Sequence, residues 1–155
     1  MQAVLLIALL AAPQERPVAT IYIEAWNAAV AAYAVGGSPE SLVPVREAIV
    51  ALERVSGGRM GPAEIARLVL LAAAAAAQSE RDEMAVYLTH AVEMESLQRA
   101  AGQPGAPGLS ALEAAGDLWL QVYRYDEARA AYERAAREIG MTPRVKAGLA
   151  RLEGR

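Results

Sequence analysis

Apolar residues recur along most of the chain at the spacing of an amphipathic α-helix. After Pro17 they return every three to four residues, and short segments rich in Gly, Pro or Ser interrupt this period. The pattern predicts six helices paired as three hairpins, at about 19–55, 62–100 and 109–140, and a short seventh helix at about 143–153. Alanine, the strongest helix former, is abundant and Phe is absent, so we predict an all-α protein.

Each predicted helix has one apolar face, which we expect to be buried. In the first hairpin these faces consist of Tyr22, Trp26, Ala29, Val30 and Tyr33 on helix one, and of Val45, Ala48, Ile49, Leu52 and Val55 on helix two. On helix three the face consists of Ile65, Leu68, Val69, Ala72, Ala73 and Ala76. Residues 72–77 carry no bulky side chain in any direction, so a neighbouring helix can approach them closely.

Several helix boundaries are marked by residues that cap backbone groups. Ser110 and Glu113 have the spacing of a capping box before helix five, and Ser79 and Asp82 have the same spacing before helix four. Between these two helices, residues 102–108 read GQPGAPG, the longest interruption in the chain. Its Gly and Pro content predicts a linker loop between the second and third hairpins.

The N-terminal segment Ala3–Ala12 is apolar throughout and is followed by Pro13. As a helix it would span about 15 Å, half of the roughly 30 Å of a bilayer core, so it does not predict a membrane span. Its length matches the apolar core of a secretory signal peptide, although no Lys or Arg precedes it. We therefore divide the chain into a signal-peptide-like segment, 1–17, and a helical domain, 18–155. The alternative is an N-terminal helix that packs on the fold or on a partner.

The composition argues against several kinds of site. Hydrophobic residues form 55% of the 155 residues and charged residues 21%, which is typical of a folded chain. The chain has no Cys and one His, so we expect no disulfides, no thiol nucleophile and no metal site built on several His or Cys. The net charge of −3 argues against a nucleic-acid partner. No group of residues indicates a catalytic or cofactor site.

The segment 109–143 resembles a tetratricopeptide repeat, a helix–turn–helix unit of about 34 residues with large and small residues at fixed places. The matching positions are Gly116, Trp119, the run Tyr125, Asp126, Glu127 and Ala128, and then Tyr132 and Ala135. In such a repeat the small Gly116 lets the two helices touch, while Trp119 and Tyr132 fill the space around that contact.

Within 109–143, Leu112 and Gly140 depart from the family, which has Trp and Pro at these places. The other two hairpins match the family only in outline. Ala48, Ala85 and Ala128, near the start of the second helix of each hairpin, lie 37 and 43 residues apart, which exceeds the repeat length. The resemblance implies a tetratricopeptide-like α-solenoid of three stacked antiparallel hairpins, with the terminal helix covering the last one. It also implies a protein without enzymatic activity that binds other proteins.

Stacks of this family bind extended peptides or partner helices in the groove that the first helices of the hairpins line. On the third hairpin, the resemblance places Glu113, Asp117, Leu120 and Gln121 at this surface. Gripping a C-terminal carboxylate would require Lys, Arg or Asn there, so the two carboxylates favour a basic or neutral partner. The alternative is that these four residues are merely exposed to solvent.

Three further features have both a functional and a structural interpretation. Trp26 and the tyrosines on its face could form an aromatic binding stripe, but their helical spacing favours a place in the core. His90 lies near Glu93 and Glu95 but has no second His or Cys with which to bind a metal. Residues 123–125, Tyr-Arg-Tyr, could contact a partner, although aromatic residues at a turn often cap a core.

We therefore expect a non-enzymatic interaction module with a protein or peptide partner and without cofactor, metal or nucleic acid. The preference for Arg, with Lys146 the only lysine, is typical of a GC-rich bacterial genome. The N-terminal segment predicts export to the periplasm or beyond, and without export the protein would be cytoplasmic. The alternative function is a structural subunit whose apolar N-terminus and Ala-rich helices drive self-assembly into a homo-oligomer.

Overall fold

A computed structural model describes residues 16–155 and contains seven α-helices in this range. Their bounds are α1 Val18–Ala34, α2 Val43–Ser56, α3 Pro62–Ala77, α4 Arg81–Ala100, α5 Ala111–Gln121, α6 Tyr125–Glu138 and α7 Pro143–Leu152. The prediction of an all-α protein is confirmed for these residues. The segment Ala3–Ala12, on which the expectation of export rests, lies outside them. None of the seven helices of this range combines the length and the apolar character that crossing a bilayer requires.

Helix α3 is the centre of the fold. It contacts α1, α2, α4 and α5, and twelve of its sixteen residues are buried. The alanines in its C-terminal half allow this, because small side chains let neighbouring backbones approach from several sides. Gly37, in the turn after α1, lies so close to the carbonyl of Ala77 that any side chain at Gly37 would overlap it. The small side chains at the end of α3 thus admit a close backbone contact, made here by the turn after α1.

Two helix pairs, α3 with α4 and α5 with α6, fold back on one another through short turns. Only three residues separate α3 from α4 and α5 from α6, and each of these pairs shares a long contact. Helix α7 then packs on both α5 and α6. The substantial contacts within 16–155 join each helix to its neighbour in the chain and also join α1 to α3, α3 to α5 and α5 to α7.

Side chains cap the first helix of the third hairpin and the terminal helix. At α5 the Ser110 hydroxyl accepts a hydrogen bond from the Glu113 amide, and the Glu113 carboxylate accepts one from the Ser110 amide. At α7 the Thr142 hydroxyl accepts from the Val145 amide at 3.2 Å. The capping box predicted at Ser110 is confirmed.

The capping box predicted at Ser79 and Asp82 was wrong. No side chain caps the start of α4, and Ser79 has a left-handed backbone conformation with φ of 64°. The amides of Ser79 and Glu80 donate to carbonyls of the last turn of α3, Ala76 at 3.1 Å and Ala75 at 2.9 Å. Ser79 therefore ends α3, and this geometry prevents it from capping α4.

Most residues of the predicted apolar faces are buried, but two valines are not. Val30 on α1 is 43% exposed and Val55 on α2 is 47% exposed. Each lies at the border of its apolar stripe, and within 16–155 no further helix packs over the first hairpin at these positions. The exposed Val30 becomes part of the groove described below.

A buried carboxylate holds the loop between α4 and α5. Glu95 on α4 is only 2% exposed, and its two oxygens accept hydrogen bonds from the amides of Ala106 and Ala111, each at 2.8 Å. A side chain at Gly105 would overlap the Glu95 carboxylate. The Gly-rich sequence predicted as a linker therefore allows close packing of the loop backbone against Glu95.

Candidate functional site

Two tyrosine hydroxyls tie α1 to α5. The Tyr22 hydroxyl donates to the carbonyl of Leu109 at 3.1 Å, and the Tyr33 hydroxyl donates to the carbonyl of Gln121 at 2.9 Å. Leu109 lies just before α5 and Gln121 is its last residue. The two bonds therefore hold both ends of α5 beside α1, with the two helices running in the same direction.

A groove of about 480 Å³ lies between these two helices. Its lining residues are Trp26, Asn27, Val30, Tyr33 and Ala34 from α1, and Asp117, Leu120 and Gln121 from α5. The spacing of three, four and seven residues places each set on one face of its helix. Trp26 is only 3% exposed, whereas Val30 is open to solvent, so the apolar wall of the groove runs from the core to the surface.

Helix α7 contributes two arginines to the groove. Arg144 and Arg151 line it, and together with Asp117 they also line an adjoining cavity of about 300 Å³ beside Gly148. Because they are seven residues apart, both guanidinium groups lie on the same side of α7. Arg144 forms an ion pair with Asp117, whereas Arg151 forms no ion pair with any residue of 16–155.

The carboxylate of Asp117 is fully engaged inside the fold. One of its oxygens accepts a hydrogen bond from the Tyr132 hydroxyl at 2.5 Å, and the other pairs with Arg144. The groove therefore contains one carboxylate, already neutralised by Arg144, and one further guanidinium group from Arg151. Its charge is positive, in contrast to the acidic surface expected from the sequence.

Glu113 does not reach the groove. It is 8% exposed, and its carboxylate accepts hydrogen bonds from the Ser110 amide at 3.1 Å, the Ser110 hydroxyl at 3.0 Å and the Thr142 hydroxyl at 2.5 Å. Glu113 thus joins the cap of α5 to the cap of α7. The resemblance to the repeat family placed Glu113 at the binding surface beside Asp117, but the contact with Thr142 helps to bury it.

Of the four residues that the sequence placed at a binding surface, the structure brings Asp117, Leu120 and Gln121 together in the groove and separates Glu113 from them. Arg144 and Arg151 were not expected at this surface, because α7 was expected only to cover the last hairpin. Their seven-residue spacing, with both side chains on one face of a short helix, is the signal that could have found them.

Two buried tyrosines are kept in the neutral form. Burial raises the pKa of Tyr22, and the nearby negative charge of Glu95 raises it further. Burial also raises the pKa of Tyr132, and the charge and hydrogen bond of Asp117 act in the same direction. Both hydroxyls therefore stay protonated and remain hydrogen-bond donors, so the bond between α1 and Leu109 persists over the ordinary pH range.

The remaining sequence candidates lie outside the groove. His90 is exposed, and no group of His, Asp and Glu within residues 16–155 is arranged to hold a metal ion. Tyr123 is 69% exposed, and its ring meets that of Tyr125 edge to face with centroids 6.4 Å apart. Arg155 lies over the Tyr125 ring at 5.4 Å, so this cluster packs mainly on itself at the end of the third hairpin.

A second apolar cavity, of about 250 Å³, lies between α4, α5 and α6. The half-buried Trp119 lines it, together with Leu88, Val92 and Leu112. At its edge Arg134 bonds to Ser96 at 2.9 Å and to Glu138 at 2.5 Å. The other charged residue of its lining is Glu93, an exposed carboxylate of α4, so this cavity offers an acidic group where the groove offers the basic Arg151.

Comparison of the chain with protein-family models, with curated proteins and with solved structures finds no match.

Proposed function

We propose that this protein is a non-enzymatic interaction module, built from three tetratricopeptide-like hairpins, that binds a segment of a partner protein in the groove between α1, α5 and α7. The observation that carries the proposal is the composition of this groove. An apolar wall open to solvent lies beside two arginines, and two tyrosine hydroxyls hold the helices that form it.

The order of helix contacts supports a stack of hairpins. Each helix packs on its neighbours in the chain, and α1, α3, α5 and α7 also contact one another in sequence, as the first helices of stacked hairpins do. A side chain at Gly116 would overlap the ring of Tyr132, which is the small-against-large contact expected from the family pattern. Both features favour a tetratricopeptide-like arrangement over an unrelated bundle.

The groove is suited to an apolar side chain of an extended segment. Val30, Leu120 and Tyr33 supply an apolar surface, and a volume of about 480 Å³ lies in the usual range for binding pockets. Trp26 lies deeper, where an inserted side chain would lose contact with water. Burial of such a side chain would supply the favourable term in binding.

The charge of the groove favours a partner that carries a carboxylate near this side chain. Glu113 is buried by its caps, and Asp117 is paired with Arg144, so neither offers a negative charge to a ligand. Arg151 offers a guanidinium group, which binds carboxylates well. The preference for a basic or neutral partner that the sequence suggested is therefore replaced by a preference for an acidic one.

Selection from a library of short random peptides on the immobilised full chain tests this proposal. We expect enrichment of peptides in which an apolar residue lies close to Asp, Glu or the C-terminal carboxylate. A synthetic peptide from the selected set should bind with at least tenfold lower affinity to Arg151→Glu and to Val30→Asp, because each change places a negative charge in the groove.

Two matched variants control for changes in overall charge. Arg137→Glu, at an exposed position of α6, and Val35→Asp, just after α1, introduce the same groups outside the groove and should leave the affinity unchanged. Equal loss of binding in control and groove variants would refute the groove as the site, and so would enrichment of basic peptides. Sedimentation of the protein alone gives a further check, since a stable oligomer would favour the self-assembling subunit instead.

A further inference from the structure

The first hairpin has one side that no helix of residues 16–155 covers. Helix α3 packs on α1 and α2, and none of its residues lines the groove of about 310 Å³ that follows the seam between those two helices. The apolar residues that line this seam are Ile21, Ala25, Pro44, Ala48 and Ala51, and the charged ones are Arg16, Glu24 and Glu47. The seam is thus an apolar channel with charges at its edges.

The last hairpin differs from the first in this respect. Helix α7, ten residues long, packs on both α5 and α6 and buries its own Val145 and Leu152 completely. A short helix that follows the last hairpin therefore covers it. On the first hairpin no helix of residues 16–155 covers the seam, and the part of the chain outside this range precedes α1.

The chain enters α1 beside this open seam. Arg16 lines the seam groove and forms an ion pair with Glu24, which lies almost two turns inside α1. Arg16, two residues before α1, is thereby held next to the seam. Residues 13–16 can span up to about 14 Å when extended, which is enough for the preceding segment to turn back along α1 and α2.

We propose that the apolar segment Ala3–Ala12 binds in the seam groove and covers the apolar channel of the first hairpin. As a helix, a segment of this length would span about 15 Å, and the seam residues from Pro44 to Ala51 on α2 span about 10 Å. The segment is therefore long enough to reach both ends of the seam.

The side chains of the two surfaces complement each other in size. The seam is lined mostly by alanines, which leave room for a helix to approach, and the segment carries leucines and Ile7, which supply the bulk that the seam lacks. The segment has no charged residue, so binding in the apolar channel leaves no unpaired charge. This role requires the segment to stay on the mature protein, in contrast to a cleaved signal peptide.

A double-mutant cycle in the full chain tests the proposal. Leu6→Arg changes the segment, Ala51→Arg changes the half-buried wall of the seam, and the N-terminus of each preparation is verified by intact mass. We expect each substitution alone to lower the melting midpoint by about 3 °C or more. The melting midpoint of the double variant should be no lower than that of the less stable single variant, because either change already displaces the segment.

Val50→Arg provides the matched control, because Val50 is exposed on α2 and does not line the seam. Its effect should be small and should add to that of Leu6→Arg. Additive effects of Leu6→Arg and Ala51→Arg would overturn the proposal, as would a melting midpoint that Leu6→Arg leaves unchanged. A wild-type midpoint that rises with protein concentration would assign the seam to a second copy of the chain, and would overturn it as well.

Thiol labelling supplies a readout that does not depend on stability. The chain has no Cys, so Ala51→Cys introduces a single thiol whose reaction with a maleimide reports exposure of the seam. Labelling of Ala51→Cys should become several-fold faster when Leu6→Arg is added, whereas labelling of Val50→Cys should not change. Equal rates with and without Leu6→Arg would show an uncovered seam, and recovery from the producing cells of only a chain lacking residues 1–12 would exclude this role.

Discussion

The ring of Tyr132 lies directly against the backbone of Gly148, so that a β-carbon on Gly148 would overlap the ring. Gly116 on α5 faces the same ring from another helix, and Tyr132 itself is completely buried. One aromatic side chain of α6 therefore sets the distance to both α5 and α7. Its hydroxyl donates a hydrogen bond to Asp117, which lines the groove.

Gly148→Ala should destabilise the protein although Gly148 lies inside a helix. In an exposed helix Gly→Ala stabilises by up to about 1 kcal/mol, because Ala is the better helix former. Here the added methyl group overlaps the Tyr132 ring, and overpacking of this kind costs about 1–3 kcal/mol. The free energy of unfolding, measured in urea, should therefore fall.

Removing the ring tests this explanation. In a Tyr132→Leu background, Gly148→Ala should have a smaller cost than in the wild type or even a benefit, because the atoms that it would overlap are gone. Gly116→Leu should show the same dependence on Tyr132. Costs that add independently of residue 132 would contradict the packing of α5 and α7 on this ring.

Alkaline pH should unfold the protein through its two buried tyrosines. Burial raises the pKa of Tyr22 and Tyr132 in the folded state above the value of about 10 in the unfolded chain. Below pH 10 both states hold the proton and stability is constant, whereas above pH 10 only the unfolded state releases it. The free energy of unfolding should then fall by up to about 1.4 kcal/mol per pH unit for each tyrosine.

Urea unfolding between pH 8 and pH 11, with Tyr132→Phe as the comparison, measures this effect. The variant should lose less stability per pH unit above pH 10 than the wild type, because one proton fewer is linked to unfolding. Lysines contribute little to the transition, since Lys146 is the only one in the chain. A wild-type profile that stays flat up to pH 11 would contradict the burial of these hydroxyls.

Glu95→Ala should be among the most damaging substitutions of a charged residue. It leaves the buried amides of Ala106 and Ala111 without acceptors, and unsatisfied groups of this kind cost about 1–3 kcal/mol each. The matched control is Glu93→Ala, at an exposed position of the same helix, which should change stability by less than about 0.5 kcal/mol. Hydrogen exchange should show faster exchange of the Ala106 amide in Glu95→Ala alone. Equal losses of unfolding free energy in the two variants would contradict the role of Glu95 in holding the loop.

Ser110→Ala should destabilise the protein by about 1 kcal/mol through loss of the cap of α5. The Ser110 hydroxyl accepts from the Glu113 amide and donates to its carboxylate, so its removal weakens the link between α5 and α7 as well. Thr89→Ala, which removes an exposed hydroxyl from α4, serves as the comparison and should stay within about 0.5 kcal/mol of the wild type. Equal effects in thermal unfolding would show that the cap contributes nothing.

The helices and most of their buried faces follow from local pattern. Period, propensity and the cap at Ser110 act within a few residues, so they can be recognised without knowledge of the fold. Ser79 does not follow its local pattern. Its spacing to Asp82 is that of a cap. In the structure, however, the amides of Ser79 and Glu80 donate to the carbonyls of Ala76 and Ala75, so this backbone ends α3 and does not cap α4.

The chemistry of the groove depended on the tertiary structure instead. Glu113 and Asp117 are both acidic residues on one helix, yet Thr142 buries the first and Arg144 neutralises the second. Both partners come from α7 and its N-cap, about 30 residues further along the chain, where no local pattern links them to α5. Electrostatic and hydrogen-bond partners act through space, so the sign of a surface is decided only when distant segments are brought together, whereas helical periodicity is already present in the order of the residues.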